Sequence, residues 1–215
     1  MERIVFKNVL PQVFATSQEL LLSDVWQKEV AFERGHHYLI EAESGKGKST
    51  FCSYIMGYRH DYTGLVSFDG KDARSYRTKD WIRLRQRHVS CLFQELRLFP
   101  ELTAYENVEI KNKLTHHKTQ KEIEAWFEML GISDKLQAKV GRMSFGQQQR
   151  VALIRALVQP FDFILADEPV SHLDDRNGEL MASILIEEAE RQGASIIATS
   201  IGKRIPVEYE KTLKL

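Results

Sequence analysis

Ala42-Glu43-Ser44-Gly45-Lys46-Gly47-Lys48-Ser49-Thr50 is the stretch that decides the fold. It follows an apolar run at residues 38–42 that has the length of a β-strand, and it is expected to open a helix. Gly45 and Gly47 let the backbone of such a turn approach a ligand, with several N–H groups pointing to one side. The stretch therefore predicts a phosphate-binding loop between a strand and the N-terminus of a helix.

The side chains of this loop predict the kind of phosphate ligand. Lys48 is expected to reach the β- and γ-phosphates of ATP, and Ser49 is expected to ligate Mg²⁺. The residues expected to bind the nucleotide are Ser44, Gly45, Lys46, Gly47, Lys48, Ser49 and Thr50. The standard pattern begins with glycine where this chain has Ala42, a departure that removes no backbone donor. The alternative is a glycine-rich turn without a ligand.

Two adjacent acids follow an apolar strand at residues 161–166. Asp167 is expected to hold the magnesium shell through water, and Glu168 is placed to polarise an attacking water as the general base. The alternative is that both acids cap a helix and interact with its dipole. The combination of these acids with the loop around Lys48 favours hydrolysis of a nucleoside triphosphate.

Composition limits the other functions. The chain has 215 residues, and 30 basic residues balance 30 acidic ones, so no overall field attracts nucleic acid or an anionic membrane. The basic stretch at residues 71–88 is interrupted by Asp72 and Asp80, and a solvated face explains it better than a nucleic-acid site. Cys52 and Cys91 have no metal-ligand spacing and are expected to be buried, reduced thiols.

The sequence also predicts how the chain relates to membranes. It begins without a signal-peptide pattern, and no apolar run approaches the roughly 20 residues that span a bilayer. We therefore expect a cytoplasmic protein without direct membrane insertion, whose membrane role depends on a partner.

Apolar periodicity predicts the architecture. Strand-like runs occur at residues 4–9, 38–42, 64–69, 89–93, 161–166 and 194–199. Helical periodicity occurs at residues 103–130 and 176–191. The alternation predicts an α/β fold, with a P-loop NTPase core of mainly parallel sheet flanked by helices. We expect one nucleotide-binding domain over residues 1–215, with an N-terminal antiparallel β subdomain and a helical subdomain at about residues 96–157.

A further motif, Met143-Ser144-Phe145-Gly146-Gln147-Gln148-Gln149-Arg150, resembles the Leu-Ser-Gly-Gly-Gln signature of the ABC ATPase family. The resemblance covers essentially the whole chain and includes four further matches. Gln94 is similar to the Q-loop glutamine, which implies a magnesium ligand, and Ser171-His172-Leu173-Asp174 resembles the D-loop. Phe14 is a weaker match to the aromatic residue that stacks on adenine. Asp167 and Glu168 end a strand that resembles the Walker B motif.

The family resemblance implies partners. Ser144, Gly146, Gln147 and Asp174 would contact the nucleotide of a second nucleotide-binding subunit, so that two ATP molecules join a homo- or heterodimer. Residues 98–108 and 167–174 look most like the lipoprotein-release, macrolide-export and cell-division subgroup. This resemblance implies a transmembrane permease subunit that docks after Gln94. It also implies a peripheral position on the inner face of the cell membrane, and no nucleic-acid partner.

Two residues depart from the family pattern. Phe145 stands where the signature normally has its first glycine, and Ser200 occupies the position of the switch histidine. A serine hydroxyl can hydrogen-bond a γ-phosphate as a catalytic contact, but it cannot carry a positive charge. The first hypothesis is an ATPase subunit that powers a transporter, which Glu168 favours. The alternative is a poorly hydrolysing ATP-binding module that acts as a switch or as the non-catalytic half of a heterodimer.

Overall fold

The computed structural model describes residues 1–15, 23–43, 45–169, 175–202 and 204–215. Within these ranges the strands are β1 (Arg3–Pro11), β2 (Glu29–Glu33), β3 (Tyr38–Glu41), β4 (Tyr62–Phe68), β5 (Lys71–Asp72), β6 (Val89–Leu92), β7 (Phe163–Asp167), β8 (Ser195–Ser200) and β9 (Lys211–Lys214). The α-helices are α1 (Lys48–Ile55), α2 (Thr78–Arg87), α3 (Ala104–Asn112), α4 (Gln120–Met129), α5 (Phe145–Leu157) and α6 (Asp175–Arg191).

A parallel sheet has the strand order β6-β7-β8-β3-β9. The strands β6, β7 and β8 are buried along their whole length, as expected where helices cover both faces. The register pairs Glu41 with Ser200 and Asp167 with Thr199. The carboxyl ends of β3, β7 and β8 therefore lie side by side at one edge of the sheet, where parallel sheets bind their ligands.

An antiparallel sheet in the order β2-β1-β4-β5 forms the N-terminal part of the fold. Gly64 in β4 has a φ of 82°, and a Cβ added there would lie 2.2 Å from the carbonyl oxygen of Asn8, so only glycine fits. The expected α/β class, the parallel core and the antiparallel N-terminal sheet are all confirmed. The sequence analysis missed β2, β5 and β9. β5 and β9 have little apolar alternation, whereas β2 alternates buried Val30 and Phe32 with more exposed residues over only five positions.

The helical stretch expected at residues 103–130 consists of two helices, α3 and α4. Thr103 and Thr119 each begin a helix with a capping box, in which the threonine hydroxyl accepts from the third helical N–H and a glutamate accepts from the threonine N–H. The second threonine explains why the periodic run is divided. The helices α3, α4 and α5 lie inside residues 96–157, and the limits of the helical subdomain stay a prediction.

Both cysteines are buried, Cys52 in α1 and Cys91 in β6. Burial raises the pKa of the Cys91 thiol to about 12, which keeps it protonated and unreactive. No helix in the described ranges has the length and apolar character needed to cross a membrane.

A buried ion pair joins the turn between α3 and α4 to the end of α6. Lys118 Nζ lies 2.9 Å from Glu188 Oε2, and the two side chains are 1% and 4% exposed. Arg191 adds a second cation 2.8 Å from the same carboxylate. Such a pair is costly to break from one side, because the remaining charge stays buried.

We expect Lys118→Met to lower the free energy of unfolding by about 2 kcal/mol or more, because Glu188 loses its buried partner. Arg191, which still pairs with Glu188, should keep the loss smaller than that of a fully unpaired buried charge. Urea denaturation followed by circular dichroism measures the change. The matched control is Lys135→Met, which removes a partly exposed lysine from its pair with Asp134 and should cost at most about 0.5 kcal/mol. Equal losses in the two variants would contradict the structural role of the buried pair.

Candidate nucleotide-binding site

The loop between β3 and α1 wraps around the ammonium of Lys48. Gly45 and Gly47 have φ values of 83° and 104°, in the left-handed region that favours glycine. Lys48 Nζ donates to the carbonyl oxygens of Ala42 and Glu43, at 2.8 and 3.1 Å. These bonds fold the side chain back over the loop and place the ammonium between the carboxyl ends of β3 and β7, which flank β8 in the sheet.

Asp167 and Glu168 lie beside this ammonium. Lys48 Nζ is 3.6 Å from Glu168 Oε1, and Gln94 Nε2 makes a long hydrogen bond of 3.5 Å to Glu168 Oε2. The structure thus brings together four residues that the sequence analysis selected from separate motifs: Lys48, Gln94, Asp167 and Glu168.

Thr199 is a site residue that the sequence analysis did not select. Its hydroxyl donates to Asp167 Oδ1 at 2.5 Å and accepts from the backbone N–H of Glu168 at 3.2 Å. Burial raises the pKa of the Asp167 carboxyl, while the hydrogen bond from Thr199 and the charge of Lys48 oppose this shift. The available signal was the position of Thr199 at the end of a buried strand, one residue before Ser200.

The backbone of Glu168 has a φ of 50°. A left-handed conformation is uncommon for glutamate and costs free energy, so the surrounding structure must hold it. Two hydrogen bonds from its N–H reach Thr199, one to the carbonyl oxygen at 3.3 Å and one to the hydroxyl. The strand β8 therefore fixes the direction in which this carboxylate leaves β7.

The oxygen atoms beside the loop fit a magnesium ion. A cavity of about 100 Å³ has Ser49, Gln94 and Asp167 in its wall, which offers a hydroxyl, an amide oxygen and a carboxylate. Mg²⁺ prefers such hard oxygen donors and keeps several waters or phosphate oxygens of its own. In the described part of the chain, no group of three His, Cys, Asp or Glu residues could hold a metal ion. Ser49, Gln94 and Asp167 would fill only part of an octahedral shell, so phosphate and water oxygens would complete it.

Phe14 lies against the loop on the side of Gly47. A Cβ added at Gly47 would be 2.8 Å from Phe14 Cε2 and 3.4 Å from Trp26 Cζ2. The ring of Phe14 is half-buried, so part of it remains accessible beside the phosphate-binding loop. This placement is compatible with the expected stacking on a base.

Ser144 and Gln147 form the N-terminus of α5. Ser144 Oγ accepts from the Gln147 N–H at 3.4 Å, and Gln147 Oε1 accepts from the Ser144 N–H at 3.0 Å. In the part of the chain that the structure describes, the side-chain hydrogen bonds of these two residues stay within this turn. Phe145 follows the cap with 48% of its surface exposed, next to Gly146.

Ser200 ends β8 beside the loop. It lines a cavity of about 550 Å³ together with Ala42, Glu43 and Lys46. Its hydroxyl accepts from the N–H of Gly202 at 2.9 Å, and the residue is buried. Two further expected ligands, Ser44 and Asp174, lie outside the described residues.

Residues 27–171 match the ABC transporter family. The chain belongs to this family. This match confirms the family resemblance from which we predicted the function, and it identifies the chain as an ABC transporter ATP-binding cassette.

Curated relatives place the cassette near the expected subgroup. It is 31% identical over 190 residues to the uncharacterized ABC transporter ATP-binding protein YbbA of Escherichia coli K12, covering 87% of this chain and 83% of that protein. It is 31% identical to the lipoprotein-releasing system ATP-binding protein LolD of Alcanivorax borkumensis, covering 85% and 83%. The macrolide export ATP-binding/permease protein MacB of a Shewanella species is 31% identical, and the match covers 94% of this chain but 31% of MacB.

Solved cassettes share the fold. The dimeric structure of MJ0796, a bacterial ABC transporter cassette, is 26% identical with a TM-score of 0.79, covering 93% of this chain and 88% of that chain. A dimeric post-hydrolysis state of MJ0796 bound to ADP and Pi is 25% identical with a TM-score of 0.74. The match therefore includes relatives in which a nucleotide is bound.

We expect Phe14→Ala to weaken ATP binding about 10-fold or more, because base–aromatic stacking contributes about 1 to 3 kcal/mol. Phe14→Tyr should retain binding, since the ring persists. Isothermal titration calorimetry with ATP measures both. The neighbouring exposed Val13 supplies the control, and Val13→Ala should bind as the unmodified chain does. Unchanged affinity in Phe14→Ala would exclude Phe14 from the base site.

Proposed function

We propose that this cassette hydrolyses ATP with Mg²⁺ and uses the cycle to drive a separate transmembrane partner. The observation that carries the proposal is the contact of Glu168 with both Lys48 and Gln94 at the edge of the parallel sheet. Lys48, Gln94 and Glu168 come from three separate motifs and meet here. If Glu168 only capped α6, it would need neither contact.

The loop supplies the phosphate contacts. Backbone N–H groups of residues 44–50 would surround the phosphates at the N-terminus of α1, and Lys48 would exchange its loop carbonyls for the β- and γ-phosphates. Ser49, Gln94 and Asp167 would hold Mg²⁺, which neutralises charge on the phosphate oxygens when bound. Thr199 orients the Asp167 carboxylate for this role.

Glu168 would act as the general base. Its carboxylate is buried between Lys48 and Gln94, and its left-handed backbone directs it out of the strand. A base held in this way can orient a water and accept its proton as the γ-phosphate bond breaks. Ser200 would contribute a neutral hydrogen bond to the γ-phosphate from the end of β8.

Phe145 and Ser200 reduce the rate in this proposal. Ser200 cannot supply the cationic contact of a histidine, and loss of one preorganised contact of this kind costs about 100-fold or more in rate. The exposed ring of Phe145 stands at the position where a second cassette would approach. These two observations support the second candidate, a binding module that closes on ATP but turns over slowly.

A second cassette is the first partner in the proposal. The MJ0796 cassettes are described as dimers, which supports the same assembly here. Ser144, Gly146, Gln147 and Asp174 would contact the nucleotide of the opposite subunit, because the helix N-terminus at α5 attracts anions. A partner cassette with glycine at the position of Phe145 and histidine at the position of Ser200 would supply the contacts that this chain lacks.

A transmembrane permease is the second partner, and it would hold the cassette on the inner face of the membrane. Tyr58 and Phe99 are exposed, and the guanidinium of Arg97 lies 5.6 Å from the centroid of the Tyr58 ring and 4.1 Å from that of Phe93. Exposed aromatic residues next to a cation are typical of docking surfaces. We propose this surface, directly after Gln94, as the permease contact.

We expect Glu168→Gln to lower steady-state ATP hydrolysis by about 100-fold or more while ATP still binds, because the variant loses the base and keeps the loop. Ser200→His and Phe145→Gly should each raise the rate. Phosphate release from purified cassette, alone and with its partners, measures this. Glu187→Gln, at an exposed carboxylate of α6, is the matched control and should hydrolyse as the unmodified chain does. If the parent rate equals that of Glu168→Gln even with partners, the cassette is a binding module.

We expect Phe99→Glu to move the cassette from the membrane fraction to the soluble fraction of native cells, because the buried charge would weaken permease docking. Leu114→Glu changes another exposed apolar residue, in the turn after α3, and should leave the distribution unchanged. Fractionation followed by immunoblotting measures both. Equal release by the two variants would place the contact elsewhere.

A further inference from the structure

The chain turns sharply just after Gln94, through two consecutive residues in the left-handed region. Leu96 has a φ of 58° and Arg97 a φ of 51°. Neither is glycine, so the turn costs free energy and needs surrounding contacts to persist. Two short-range hydrogen bonds shape it, from the Leu96 N–H to the carbonyl of Phe93 at 3.0 Å and from the Arg97 N–H to the carbonyl of Glu95 at 2.6 Å.

Arg155 supplies the contact that holds this turn from outside. Its Nη1 donates to the carbonyl oxygen of Arg97 at 2.7 Å, and its Nη2 donates to the carbonyl oxygen of Leu96. The planar guanidinium presents two parallel donors, which suits two adjacent carbonyls. One side chain therefore binds both strained residues at once.

In the described ranges, these two carbonyls are the hydrogen-bond acceptors of Arg155, and no carboxylate forms an ion pair with it. Burial lowers the pKa of Arg155 to about 10, which leaves it charged at neutral pH. A partly buried cation without a carboxylate depends on the acceptors that it has. The interaction is therefore costly to lose, and it is specific to this turn.

Arg155 also connects two parts of the site. It lies on α5, the helix that begins at the Ser144 cap. The turn it holds follows Gln94, whose side chain reaches Glu168. In the described ranges, the side-chain hydrogen bonds of Arg155 reach Leu96 and Arg97, so it would act on Gln94 through the Leu96–Arg97 turn.

We propose that Arg155, in the last turn of α5, is a positioning residue that sets Gln94 against Glu168 and links α5 to this carboxylate. This inference rests on the proposed hydrolysis for its effect on rate. Its effect on the turn does not depend on hydrolysis. A shift of α5 relative to the sheet would move both carbonyls, and with them the approach of Gln94 to the carboxylate.

Arg155→Lys tests the link, because lysine keeps the charge but its single ammonium lacks the fork that matches two carbonyls. We expect amide hydrogen exchange at Leu96 and Arg97 to become about 10-fold faster or more, as loss of about one net hydrogen bond predicts. Amides of β1 serve as the internal reference for global stability. The matched control is Arg150→Lys, on the same helix, where Nη1 donates to Leu130 instead, at 2.9 Å. That variant should not change exchange at the turn.

Hydrolysis supplies the second readout. Arg155→Lys should lower kcat about 10-fold and change the KM for ATP by less than about threefold, because the loop is intact. In the double variant Gln94→Ala/Arg155→Lys, the rate should equal that of Gln94→Ala alone, since both changes remove one contact. Arg150→Lys should instead combine additively with Gln94→Ala.

The outcomes separate this inference from the proposed function. Unchanged exchange at the turn in Arg155→Lys would overturn it, whatever the rate. Faster exchange with an unchanged rate, or additive losses in the double variant, would also overturn it. If the unmodified cassette hydrolyses no ATP, the proposed hydrolysis fails, and exchange alone then decides whether Arg155 holds the turn.

Discussion

The alignment of three parallel strands at their carboxyl ends is the constraint on which the site depends. The backbone register places Glu41 opposite Ser200 and Asp167 opposite Thr199, so the phosphate loop, the two acids and the end of β8 meet. A shift of one residue would turn Asp167 to the other face of the sheet. The burial of these strands on both faces fixes the register, and therefore fixes the site.

The sequence predicted the parts of the fold with strong local signals. The glycine-rich loop, the buried strand before Asp167 and the helix after residue 175 stand out, because their spacing and apolar periodicity are local. The strands β2, β5 and β9 were missed, since short edge strands acquire their structure from pairing with neighbours rather than from pattern. The division of the helical run at Thr119 was visible as a capping box, in which Glu122 follows three residues later.

The candidate site was predictable to a similar degree. Lys48, Gln94, Asp167 and Glu168 were selected from motifs, and their contacts agree with one site. Thr199 and Arg155 were not selected, because their roles arise from tertiary contacts with a carboxylate and a backbone turn that lie far away in the sequence. A hydroxyl or guanidinium that serves another residue carries no motif of its own.

The left-handed backbone of Glu168 places function and stability in opposition. Asparagine and glycine adopt this conformation more easily than glutamate does, so either would relax the strand end while removing the carboxylate. Either change would also remove the carboxylate that the proposed hydrolysis uses as its base. Under that proposal, the strain at Glu168 is the conformational cost of keeping a carboxylate at this position.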